Sequence, residues 1–170
     1  MNIYTLELHT LQYKNGRTYL IASFFIIGNI LLPQLCHLIP QGGLILLPIY
    51  FFTLIGAYKY GWKVGLLTAI FSPLLNHLLF EMPSLSILPA ILLKSILLAF
   101  IAGFAAHYYK RISIPILLGV VLTYQIIGTL GEWLLEGNLY KALQGFRLAI
   151  PGMLTQIFGG YLLICKVLRR

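Results

Sequence analysis

The chain has 170 residues, of which 59% are hydrophobic and only 9% charged, and its formal charge is +8. A water-soluble domain of this length carries roughly 25% charged residues, so lipid is the expected solvent. The positive residues form no basic stripe interleaved with polar ones, which argues against a nucleic-acid partner.

A bilayer core of about 30 Å needs about 20 apolar residues per helix. Reading for such runs in chain order predicts an all-α, polytopic integral membrane protein of six helices. Residues 1–17 are a short cytoplasmic segment, and 18–170 form a single transmembrane domain. Lys14 and Arg17 before an apolar run imitate a signal peptide. No small-x-small cleavage site follows and more spans come later, so the run reads as an uncleaved first helix. That helix lies near 18–35 and stops before Pro40-Gln41-Gly42-Gly43. The second, near 44–58, is short for a span and contains Pro48. The third runs near 61–80, the fourth near 86–108, the fifth near 112–135 and the sixth near 148–168.

Charge placement tests this count. With the N-terminus inside, Lys14, Arg17, Lys59, Lys63, Lys110, Arg111, Lys166, Arg169 and Arg170 all fall on the cytoplasmic side. Only Lys141 and Arg147 fall outside, and Lys94 lies within a span. This bias is the positive-inside pattern, and it accounts for the net charge with both termini in the cytoplasm of a cell-membrane protein. Cys36 and Cys165 then sit at opposite faces, too far apart for a disulfide, and read as ordinary thiols.

Ionisable groups inside a span cost about 2.5–3.5 kcal/mol each on insertion scales, so each needs a reason. The rise of 1.5 Å per residue gives their depths. Asn76 and His77 lie about 6 Å from the outer end of the third helix, and Lys94 roughly 12 Å below the start of the fourth. Gln125 and Glu132 lie about 15 Å and 5 Å deep on the fifth, and Gln156 about 12 Å deep on the sixth. Four helices thus carry polar groups in their outer halves, which describes a cup open to the outside. Structural readings stand beside this one. Lys94 and Glu132 can pair with each other, although a depth difference of roughly 7 Å separates them. Asn76 or His77 can take the carbonyl freed by Pro73, and Gln125 and Gln156 can bind neighbouring helices. Tyr124 and Trp133 can stack on a planar ring or anchor the chain at the lipid interface. Gly61, Gly65 and Ala69, and likewise Ala99, Ala102, Gly103 and Ala106, have the small-residue spacing of close helix packing or of an intersubunit face.

Two outer loops add candidates. Gln34 to Gly43 holds His37 and the pair Gly42-Gly43, whose freedom of backbone angle suits a movable cover or a plain turn. Residues 136–147 carry Asn138, Tyr140, Gln144 and Arg147. The chain has no G-x-x-x-x-G-K-[ST], H-E-x-x-H or G-x-S-x-G motif, and its four histidines fall at unrelated depths. Neither an enzyme nor a metal or cofactor site is expected.

The stretch His37-Leu38-Ile39-Pro40, Gly42-Gly43, Leu47-Pro48, Gly61-x-x-x-Gly65, Ser72-Pro73-Leu74-Leu75, His77-Leu78-Leu79 and Met82-Pro83 resembles the substrate-binding S components of energy-coupling factor (ECF) transporters. The likeness covers about residues 30–110 most clearly. It implies a membrane subunit that captures a water-soluble vitamin or related micronutrient outside the cell. It also implies a membrane coupling protein and two ATPase subunits as partners. In that family the loop between helices one and two covers the site, and helices four to six with the outer loops line it. Here those regions supply Lys94, Gln125, Glu132, Trp133, Gln144, Arg147 and Gln156. The Ala-x-x-x-Ala docking face common on the family's first helix has no counterpart, since only Ala22, Ser23 and Gly28 are available. The alternative is a structural or assembly protein of the cell envelope with no small-molecule substrate. Lys94, as the sole basic residue well inside a span, leads to the expectation of a solute with an acidic or strongly accepting group.

Overall fold

The computed structural model describes residues 4–5, 11–36, 38 and 40–168. Among them the chain is helical almost throughout: α1 (Gly16–Cys36), α2 (Gly42–Leu46), α3 (Phe51–Tyr60), α4 (Trp62–Phe80), α5 (Leu88–Tyr109), α6 (Ile114–Glu136), α7 (Leu139–Leu148) and α8 (Ile150–Leu168). A single 3-10 turn, Pro48–Tyr50, joins α2 to α3. The all-α expectation holds. Four helices, α1, α4, α5 and α6, are long and apolar enough to cross a membrane. A fifth span exists if α7 and α8, bent by 43° at their junction, are taken as one.

The six-helix reading differs from this in two places. The segment expected at 44–58 is not one straight helix but α2, the 3-10 turn and α3. Pro48 has no N–H to give to a preceding carbonyl, and Leu47 before it takes a left-handed φ of 49°. The ten residues of α3 rise only about 15 Å, half a bilayer core. The stretch 136–147, expected as a loop, is mostly α7. Asn138 caps it, its Oδ1 accepting from the Lys141 N–H at 3.0 Å, and Ala142 is its fully buried contact with the bundle.

The helices pack around a core of Leu54, Tyr58, Val64, Leu98, Leu117 and Val121. The central helix α4 packs on α1, α3 and α5, α5 packs on α6, and α8 lies against α6 and α3. Glycines set two of these approaches. A methyl group at Gly65 would collide with the Ala57 Cα and Cβ on α3, and one at Gly103 with the Trp62 backbone. Ala69, Ala99, Ala102 and Ala106 are buried, so the small-residue stripes pack inside the chain. Large apolar side chains point outward instead: Leu20 and Phe24 on α1, Phe104 on α5, Leu134 on α6 and Leu162 on α8. With no water-compatible face on these helices, lipid is the environment that matches them.

The two ends of the bundle differ chemically. At one end Tyr4–Thr5 pairs antiparallel with Arg111–Ile112, and the Tyr58 hydroxyl donates to the Arg111 carbonyl at 2.7 Å. Lys63 lies over the rings of Tyr13 and Trp62 there, and Lys14, Lys59 and Lys110 share the same end. The other end gathers α2, the 3-10 turn, the α4–α5 link and α7.

Candidate functional site

Inside that second end lies a cavity of about 320 Å³. Gly43 of α2 with Leu47, Ile49 and Tyr50 forms one wall. Ile87, Ala90, Ile91 and Lys94 face it from α5 and its approach, and Gln125, Glu132 and Glu136 from α6. The remaining wall is α7, through Lys141, Gln144, Gly145 and Leu148.

Two ion pairs border this space. Lys94 Nζ is 2.5 Å from Glu132 Oε2, with side-chain exposures of 10% and 14%. The expected depth gap between them closes for a geometric reason. Because α5 begins at Leu88 and α6 ends at Glu136, Lys94 sits about 9 Å and Glu132 about 6 Å from the same end. A lysine stem spans that difference. It runs through a notch left by Gly128, where any Cβ would strike Lys94 Cγ. The second pair, Lys141 Nζ to Glu136 Oε2 at 2.8 Å, ties α7 to the end of α6. The charges balance, two of each sign.

Below the pairs, Gln125 is 1% exposed and its Oε1 has no hydrogen-bond partner among the described residues. Thr129 Oγ1, one turn above it, and Ser95 Oγ, beside Lys94, are likewise buried and unpartnered. Burying such atoms without partners costs about 1–3 kcal/mol each, and of the three residues Gln125 lines the cavity.

The predicted residues separate into those the cavity uses and those it does not. Lys94, Gln125, Glu132 and Gln144 line it. Tyr124 does not. It is fully buried behind Tyr50, rings 5.8 Å apart, and its hydroxyl donates to Gln156 Oε1 at 2.8 Å. Gln156 thus joins α8 to α6, although its Nε2 has no partner among the described residues. Trp133 points outward with 38% exposure, and Arg147 is exposed on α7. His77 shares a 2.9 Å hydrogen bond with the Pro83 carbonyl. As a carbonyl only accepts, the histidine Nδ1 carries the proton. Asn76 donates to the carbonyls of Ser72 and Asn29, both at 3.0 Å, rather than to the carbonyl freed by Pro73. His37 lies outside the described residues.

Sequence reading passed over several residues. Tyr50 is the aromatic ring on the cavity wall, in place of Tyr124 or Trp133, and Glu136 and Lys141 form its second ion pair. Asn29 heads a buried polar network, donating to Thr53 Oγ1 at 3.0 Å and Ser72 Oγ at 3.2 Å and accepting from the Phe52 N–H. A lone asparagine in the middle of the first apolar run was the available signal. The presumed flexible pair Gly42-Gly43 is helical. The left-handed residues are Gln41 (φ 59°) and Leu47 (φ 49°), one on each side of α2.

The fold and the cavity define an all-α protein with four or five helices fit to span a membrane and a mixed polar and apolar chamber at one end. No family model, curated protein or solved structure matches the chain.

Proposed function

We propose that the protein is the substrate-binding membrane subunit of an ECF-type uptake system, taking up a water-soluble micronutrient together with a coupling protein and two ATPase subunits. The observation that carries this reading is the 320 Å³ cavity between α2, α5, α6 and α7, bordered by balanced charges and by the buried Gln125 side chain, whose Oε1 has no partner among the described residues. Its size suits one small molecule, and polar groups set in an apolar wall are how such sites fix orientation. In this reading the basic end of the bundle is cytoplasmic, the cavity opens outward, both termini are inside, and the broken second segment is the sixth span. The chain binds and hands over its solute; ATP is hydrolysed elsewhere.

The pairing of Lys94 with Glu132 revises the solute. An acidic group is no longer needed to neutralise Lys94, and a cavity with two charges of each sign suits a neutral or zwitterionic molecule. The same pairing favours the second reading, a structural membrane protein, in which Lys94–Glu132 and Tyr124–Gln156 exist to hold helices together. Native mass spectrometry of gently purified protein separates the two. A co-purified small molecule, lost in Gln125→Met, is the expected result. An empty protein under all conditions, stable without solute, would favour the structural reading.

A further inference from the structure

A second cavity of about 180 Å³ lies beside the first, between the end of α1, α4 and the α4–α5 link. Gly43, Ile49, Ile87 and Ile91 line both, so the two spaces share an apolar wall. The far wall is chemically different from the charged chamber. It carries Asn76 and Gln34, each with one buried polar atom that lacks a partner among the described residues: Asn76 Oδ1 and Gln34 Nε2. Asn76 is 2% exposed.

The orientation of Asn76 is fixed by its surroundings. Its Nδ2 faces the carbonyls of Asn29 and Ser72 at 3.0 Å each, and two carbonyl oxygens cannot face a third oxygen. Oδ1 is therefore the free acceptor. The Asn29 network holds it there, since Asn29 is itself tied to Thr53, Ser72 and the Phe52 N–H. Gln34 Nε2 supplies a donor. An acceptor and a donor set in walls of Pro33, Pro48, Ile87 and Ile91 select a neutral group that offers one N–H and one carbonyl. A dry cavity of about 150 Å³ is known to hold a six-membered ring, so the volume fits one ring.

We propose that this second cavity is a binding subsite for a neutral lactam-like ring, its N–H donating to Asn76 Oδ1 and its carbonyl accepting from Gln34 Nε2. The inference rests on the reading of the protein as a solute-binding subunit and extends it. The solute is elongated, with an uncharged cyclic amide at the Asn76 end and a polar or zwitterionic part reaching past the shared apolar residues to Gln125 and the ion pairs.

The test uses δ-valerolactam and its N-methyl analogue as probes of the purified full chain, with affinity read by saturation-transfer NMR. Partition into detergent favours the N-methyl compound, so nonspecific uptake runs against the expected order. The prediction is that δ-valerolactam binds about tenfold more tightly, because the methylated ring leaves Asn76 Oδ1 unpaired. Gln34→Met removes an amide nitrogen with no present partner. It should weaken δ-valerolactam about fivefold while leaving the melting temperature unchanged or higher. Equal affinity for the two probes, no binding of either, or undiminished binding to Gln34→Met overturns the subsite. Native mass spectrometry on the same preparations keeps the two proposals apart. A co-purified solute that Gln125→Met releases, beside failed lactam arms, removes the subsite alone. Successful lactam arms without any co-purified solute keep the subsite and remove the uptake reading.

Discussion

Breaking the Lys94–Glu132 pair from one side leaves a charge in a place that water barely reaches. The two side chains are 10% and 14% exposed, and the contact is 2.5 Å. Removing one partner of a buried pair costs about 3–5 kcal/mol, because the survivor keeps its desolvation penalty and loses its attraction. Lys94→Met strands the Glu132 carboxylate, and Glu132→Met strands the ammonium. For a chain of this length each kcal/mol shifts the melting temperature by about 2–4 °C, so each single variant should melt about 6–20 °C lower. The double variant Lys94→Met/Glu132→Met strands nothing and keeps the volume. It should recover most of the loss, with a coupling energy of at least about 2 kcal/mol. The assay is thermal unfolding in one detergent for all four proteins, with solute affinity measured by calorimetry alongside. Single variants that cost less than about 1 kcal/mol would refute the reasoning, since the pair would then be behaving as a solvated surface contact.

Further outcomes follow from other contacts. Gly128→Ala should cost about 1–3 kcal/mol by pushing the Lys94 stem off its path, and an equal cost in a Lys94→Ala background would show that the notch is not the cause. Asn29→Leu should destabilise by about 2 kcal/mol through the lost bonds to Thr53, Ser72 and Phe52, measured by unfolding, and a cost below about 0.5 kcal/mol would make the network dispensable. In intact cells an impermeant maleimide should label Cys36 and spare Cys165 until the membrane is opened; early labelling of Cys165 would reverse the proposed orientation. Gly152→Val places side-chain atoms against the Ile45 and Leu46 carbonyls and should unseat α2, seen as faster solute exchange; unchanged exchange would mean that α2 is not part of a cover.

The long helices were legible because apolar runs of spanning length have few alternatives. Boundaries of α1, α4, α5 and α6 fall within two residues of expectation. The second segment was not, because its break depends on Leu47 adopting a left-handed angle, which no periodicity announces. The amphipathic character of α7 was readable in principle, with Leu139, Ala142, Leu143 and Phe146 at helical spacing, yet its polar residues drew it into a loop. Depth alone singled out Lys94, Gln125 and Glu132, which line the cavity, since a polar group that far inside an apolar run must face protein. Depth could not say which way around the helix a side chain points. Tyr124 and Tyr50 differ in that respect: one hides behind the other, and only packing decides which meets the cavity.

The angles at Gln41 and Leu47 carry a mechanical consequence. Each holds a residue with a Cβ in the left-handed region, at a cost of about 1–2 kcal/mol. They stand at the two ends of a five-residue helix, so α2 hangs as a rigid panel between two loaded hinges. Relaxing either one lowers the local backbone energy, so the panel keeps its place only where its surroundings over-determine it. What holds it is the close seat on Gly152 of α8, where the two backbones nearly touch. Gly43 faces both cavities, so a single swing of this panel would uncover the charged chamber and the amide-lined one together.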